Sequence, residues 1–447
     1  MLKKIISILL AVGLFLLCCS GCSRCSNKGE DTDSAALNNG SSNSPSASQS
    51  ANNNNTAEGD NNTDATTPNA SRQRPGSLKD IKGVTDLSKL PDYLKGSLEQ
   101  YLTIEADIEV YPEGTYNLYQ ATLQDTEKVY QKWVDTFIPG KQFASQNHMQ
   151  DMMLNDDTIP NYNYQDQTID GESLLISNNF HMFTDNSSKI TSIYDDLSNP
   201  AKIPILSVGQ SESKDIVLRN RFPKEELAGF SKDSALAMVE EKINALGIQN
   251  LGNPNVYALD IESVNKWIQN EVKPNADSIQ YASGVPTEWT NQNQECYYIT
   301  YNMMLGGVKF TDSSTPNLTG KVLNDPIMTT GSGLQAFVNQ NGIFYFYFGD
   351  IYNVKTTQKN LSCISMEQAI SVYAEKYKNA FEEEARKAVK IQLLYVPKYE
   401  EDFNFELRPA WVISSQTKVN PELPEEEQNY VTKDYVDAIT GEMMNYR

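Results

Sequence analysis

Ser365-Met366-Glu367-Gln368-Ala369-Ile370-Ser371-Val372-Tyr373-Ala374-Glu375-Lys376-Tyr377 is the stretch from which the fold of this chain is read. Ser365 followed three residues later by Gln368 has the form of a capping box, in which each side chain answers a backbone N–H left open at a helix start. Ile370, Tyr373, Ala374 and Tyr377, and beyond them Phe381 and Ala385, recur at the spacing of one helical face. Such a stripe needs a surface to cover it. Three extended runs follow, residues 391–396, 410–415 and 430–437, separated by polar segments. One helix followed by short strands predicts an α+β fold, with antiparallel sheets each packed by one or two helices.

The same alternation continues toward the N-terminus. A helix is predicted from Ser231, with Ala235, Leu236, Val239, Ile243 and Leu246 on one stripe and Gly247 at the left-handed position that ends it. Residues 256–261 read as extended, and residues 295–310 as strand, turn and strand around Gly306 and Gly307. Residues 334–338 and 343–348 flank an Asn341-Gly342 pair, the signal of a β-hairpin. Residues 102–111 and 174–183 read as strands, and 125–137 as a helix capped by Asp125 and closed before Pro139. Residues 155–172 are polar with scattered tyrosines and no period, which predicts a long surface loop.

The segments Ile364-Ser-Met-Glu-Gln-Ala-Ile370, Pro409-Ala-Trp-Val-Ile413 and Tyr435-Val-Asp-Ala-Ile-Thr-Gly-Glu442 resemble the PepSY-type module. In that family a helix lies across a small antiparallel sheet whose last strand enters an Asp-Ala-x-Thr-Gly-Glu turn. The resemblance implies that Trp411 is buried against the helix. It brings association with restraining peptidases or with extracellular regulation of signalling kinases, and no catalytic residues. Residues 231–310, similar in their order of helix then strands, are a candidate divergent first copy. The expected domains are an N-terminal α+β domain at 78–225, a middle α+β region at 226–362 and the PepSY-like module at 363–447. As a whole the chain also resembles large uncharacterised lipoproteins of Gram-positive, Clostridia-type gut anaerobes.

The first residues set the expected location. Lys3 and Lys4 precede an apolar run at 5–17, too short for a permanent span, which takes about 20 residues. Cys19-Ser20-Gly21-Cys22 then resembles a bacterial lipobox, in which two small residues precede the modified cysteine; Cys19 stands where that pattern usually has leucine. A signal peptide at 1–21 and lipid on Cys22 are therefore expected, holding the protein on the outer side of the cell membrane. Residues 22–77 read as the lipidated cysteine and a Ser/Asn-rich linker. From 23 to 74 Leu37 is the sole large apolar residue, too little to offset an ordering entropy of about 1–2 kcal/mol per residue.

With 58 acidic against 37 basic residues and a net charge of −21, the chain is unsuited to nucleic acid or to direct adsorption on anionic lipid. Of six cysteines, four lie in or beside the signal, leaving Cys296 and Cys363. Two arrangements stay open for that pair: one disulfide in an oxidising envelope, or two separate thiols. His148 and His181 are the only histidines, few for a zinc site or a catalytic triad. Glu382, Glu383 and Glu384 point in diverging directions on a helix, and Glu425–Glu427 read as a loop. Residues 166–172, Asp-Gln-Thr-Ile-Asp-Gly-Glu, hold oxygen ligands without the spacing of a calcium loop, and Thr329-Thr-Gly-Ser-Gly333 lacks the lysine of a phosphate loop.

No cofactor, metal or catalytic group is expected. The preferred expectation is a membrane-anchored, non-catalytic interaction or regulatory module that meets an extracellular protein through sheet edges or its acidic surface. A solute- or glycan-binding lipoprotein and a carboxylate-dependent wall hydrolase are the alternatives. Nothing in the sequence sets the number of subunits.

Overall fold

A computed structural model describes residues 75–99, 102–151, 161–177, 180–185, 214–275, 286–311, 331–349, 351–378, 386–401, 404–418 and 429–444. All belong to one compact unit, residues 69–447. Cys22, the linker to residue 74, Glu382–Glu384 and Glu425–Glu427 lie outside the described residues.

In chain order the described elements begin with β1 (Pro75–Ser77), β2 (Tyr93–Glu99), β3 (Leu102–Glu109), β4 (Leu118–Leu123) and α1 (Thr126–Phe137). Then come β5 (Phe143–Asp151), β6 (Asn161–Thr168), β7 (Glu172–Ser177) and β8 (Phe180–Asp185). The helices α2 (Lys214–Arg221) and α3 (Lys232–Leu246) lead to β9 (Leu251–Leu259) and α4 (Ile261–Trp267). After them run β10 (Cys296–Leu305), β11 (Val308–Lys309), β12 (Gly333–Asn339), β13 (Gly342–Gly349) and β14 (Tyr352–Gln358). The chain closes with α5 (Met366–Tyr377), β15 (Arg386–Glu401), β16 (Asn404–Lys418) and β17 (Asn429–Asp437).

Helix boundaries follow the caps. The Asp125 carboxylate accepts from the N–H groups of Glu127 and Lys128, and Ser231 from Ser234. Gly247, at φ 66°, ends α3 in the left-handed conformation. Ser365 and Gln368 form the capping box of α5, with Gln368 Oε1 accepting from Ser365 N at 2.9 Å. Asp260 caps α4, which passes into a π-turn at Ile268–Val272.

The fold is α+β, mostly strands in two open sheets. Among the described residues the first sheet has the order β1-β2-β3-β15-β16-β4-β14, with β17 also on β16. The second runs β11-β10-β12-β13-β8-β7-β6-β5, with β9 also on β10. Every strand pair of the second sheet is antiparallel. The first sheet departs from the antiparallel expectation, because β1 pairs with β2, and β3 with β15, in parallel. β15 returns far along the chain from β3, and residues 78–92 separate β1 from β2, so neither pair is held by the tight hairpin that enforces antiparallel pairing.

The second sheet is covered on both faces. α1 and α3 bring Trp133, Val134, Ala235, Val239 and Ile243 onto one face, where they meet Leu174, Ile176 and Phe346. α2 and α4 bring Leu218, Val264 and Trp267 onto the other, over Tyr298 and Phe337. In the first sheet Met366, Ile370 and Tyr373 of α5 join Leu393, Trp411 and Val436 in one core. Trp411 is fully buried there and its Nε1 donates to Ile364 O at 3.1 Å. Asp437 Oδ1 accepts from Ile439 N and Thr440 N, and Gly441 takes φ 76°, which makes the turn after β17. The end of β10 with β11 delivers Leu305, Val308 and Phe310 into the first-sheet core, joining the two sheets.

Several expectations are corrected. The boundaries at 225/226 and 362/363 do not separate the sheets, since β3 and β4 flank the β15–β16 hairpin; pairing between strands far apart in sequence is invisible to local periodicity. Residues 161–168, inside the expected loop, form β6. Their inward positions are Tyr164, Asp166 and Thr168, so period-two alternation is present without hydrophobic contrast. Residues 174–183 are not one strand but the paired β7 and β8. The extended runs near 391 and 410 are a hairpin of 16- and 15-residue strands. α4 occupies a segment that showed no helical stripe.

Candidate functional site

β5, Phe143-Ala-Ser-Gln-Asn-His-Met-Gln-Asp151, ends the second sheet and pairs with β6 alone among the described strands. Residues 144–149 are all exposed. Between 143 and 150 there is no charge and no proline. Natural sheets protect an outer strand by shortness, lysine, proline or bulges, because its unpaired N–H and C=O groups template another strand. The other described edges carry such protection: β1 has three residues and β11 two, β9 contains Pro254, β14 Lys355 and β17 Lys433. β5 has a bulge at its beginning, between Phe143 and Ser145, and none along the rest.

The strand is pinned from one side. The Asp166 carboxylate, with a fully buried side chain, accepts the Tyr130 hydroxyl of α1 and meets His148 Nε2 at 2.9 Å. The His148 ring stacks on Tyr164 at 4.3 Å and stands edge-on to Tyr130 at 4.8 Å. Gln146 Nε2 donates to Tyr130 Oη at 3.3 Å. Burial, and then the Asp166 carboxylate, push the Tyr130 hydroxyl above its ordinary range, so it stays a donor. Gln146 and His148 are thus held toward α1, while strand alternation sends Ser145, Asn147 and Met149 to the opposite face. Met149 is 44% exposed.

This arrangement suits recognition better than catalysis. His148 uses Nε2 on the carboxylate, whereas hydrolytic triads use Nδ1 and aim Nε2 at a nucleophile. The buried carboxylates among the described residues are each engaged by neighbours: Asp166 as above, Asp260 by Lys224 and Ser263, Asp434 by Lys376 and Tyr377, Asp437 by Arg408. Carboxylates held in this way serve as structural acceptors, unlike the opposed pair that flanks a glycosidic bond. A groove of about 490 Å³ between α2 and α4 is lined by Arg221, Lys224, Lys266, Trp267 and Glu271. Two of its cations are already paired, Arg221 Nε with Glu271 at 3.1 Å and Lys224 Nζ with Asp260 at 2.7 Å.

Of the residues singled out in the sequence, Cys22 lies outside the described region. Cys296 and Cys363 are two thiols rather than a disulfide. Cys296 is buried between the second sheet and α4, and Cys363 sits half-buried against the first-sheet core, so different clusters hold them. Burial pushes the Cys363 thiol up to about 12, which keeps it protonated. In the 166–172 segment Asp170 and Glu172 flank a hairpin turn and both pair with Lys141, at 2.9 and 3.0 Å. Tyr130, His148, Tyr164 and Asp166 were not linked by sequence reasoning. The available signal was the neutral run 143–150 beside the alternation of Tyr164, Asp166 and Thr168.

No protein-family model matches the chain, and no curated protein matches it. Among solved structures, its fold is similar to that of an uncharacterised protein from Eubacterium rectale ATCC 33656, with 16% sequence identity and a TM-score of 0.54 over 83% of this chain and 98% of that one. At that identity the likeness establishes a common fold and nothing about activity.

Proposed function

We propose that this chain is a lipid-anchored extracellular lipoprotein acting as a non-catalytic protein-interaction module, whose contact element is β5, the outer strand of the second sheet among the described residues. The observation that carries the reading is a neutral, proline-free outer strand, exposed from 144 to 149 and pinned by a buried carboxylate. Strand addition draws affinity from main-chain hydrogen bonds, and a fixed edge loses little freedom on binding. The anchor rests on the Cys19-Ser-Gly-Cys22 segment, and the regulatory character on the PepSY-like reading of residues 363–447. The support for that reading is α5 lying across β16 and β17 and the turn made by Asp437.

The test is a photo-reactive residue at position 147 in cells that make the full chain. A defined cross-linked protein product is expected, and Gln146→Pro, at a position whose N–H faces away from β6, abolishes it in chains carrying the probe at 145 or 147 while the melting temperature stays within a few degrees. Cross-linking that survives the proline, or no product from either position, defeats the proposal.

A further inference from the structure

We infer that the strand completing the side of β5 left unpaired among the described strands is β5 of a second copy of this chain, paired antiparallel about a twofold axis near Asn147. The inference rests on the reading of β5 as the contact element and names its partner.

Charge selects the partner. Two molecules each carrying −21 repel, so a stable contact between copies needs a seam without charge. Residues 143–150 supply one, and Asp151 faces its own counterpart only if the axis lies at 151. An acidic protein drawing a cationic partner would place carboxylates on the contact strand to steer and register it; β5 offers none before Asp151.

The side chains are self-complementary as well. With the axis at Asn147, the two Asn147 amides face each other, Gln146 faces His148 of the second copy, and Ser145 faces its Met149. None of these pairs sets like charges directly opposite each other, the arrangement that destabilises neighbouring strands. The pairing is also closed: a twofold contact uses the same edge on both molecules, leaves no β5 edge exposed, and gives a dimer instead of a fibre. Gln146 and His148 are already held by Tyr130 and Asp166, so little side-chain freedom remains to be lost.

The experiment is sedimentation equilibrium of the purified full chain, wild type beside Asn147→Lys and Asn147→Asp. Wild type is expected to dimerise, more tightly as salt screens the repulsion. Each variant alone is expected to associate at least about tenfold more weakly, since like charges then face each other at the axis. Mixing the two variants restores a dimer, a result that a foreign partner or loss of folding cannot produce. Three results overturn the inference: a monomeric wild type, a dimer indifferent to both substitutions, or variants that fail to rescue each other. If wild type is monomeric while position 147 still cross-links a different protein in cells, the contact role of β5 stands and its partner is foreign. If neither association nor cross-linking occurs, both fall.

Discussion

His181 is a useful residue from which to consider stability. It lies fully buried on β8, its ring edge-on to Trp133 at 5.1 Å, and burial lowers its pKa to about 3. In the unfolded chain an imidazole takes up its proton near pH 6.5. Between those values the unfolded state binds the extra proton, so stability falls as pH drops from about 6.5 toward 3, by about 1.4 kcal/mol per pH unit at most. His181→Phe, which keeps an aromatic ring in the site, is expected to flatten the fall in melting temperature between pH 6.5 and 4. An unchanged slope would remove His181 from the account. Asp166 is the opposite case, a carboxylate whose burial is tolerated because Tyr130 and His148 answer both of its oxygens.

Elements formed where local signals agree with each other. α3 has a cap, a stripe and a stop in register, and α5 a capping box and a stripe; the structure starts both at the caps read, with the described part of α5 reaching Tyr377. Trp411 tests the packing of α5: it is fully buried in the core shared by that helix and the first sheet. Trp411→Ala is expected to lower stability by about 3–5 kcal/mol through the cavity and the lost contact to Ile364 O; a melting temperature within a degree of wild type would contradict that packing. β6 shows why other elements were missed. Its inward residues include Asp166 and Thr168, which are buried by hydrogen bonds to Tyr130 and Glu172 and so never appear as an apolar period. The site was illegible for the same reason, since its residues come from α1, β5 and β6 and meet only after β6 is recognised as a strand.

For the whole molecule, the relevant contacts are long-range. β15 pairs with β3 across nearly the length of the folded region, and β14 pairs with β4. The end of β10 and β11 ties one sheet into the core of the other. Location belongs to this scale too. Cys22→Ser is expected to move the protein from the membrane fraction to the soluble fraction and to remove the acyl mass from its N-terminus; retention in the membrane with an unmodified N-terminus would defeat the proposed anchor.

Sequence alone determined the α+β class, the helices from Ser231 and Ser365, the hairpin at Asn341-Gly342 and the acidic character, because caps, stripes and turn residues act within a few positions of one another. Only the tertiary structure decided that the first sheet draws its strands from both ends of the region, that Cys296 and Cys363 lie in separate cores, and that β5 is an outer strand among those described. A strand becomes an edge through what fails to pair with it, and that depends on every other strand in the sheet rather than on its own residues.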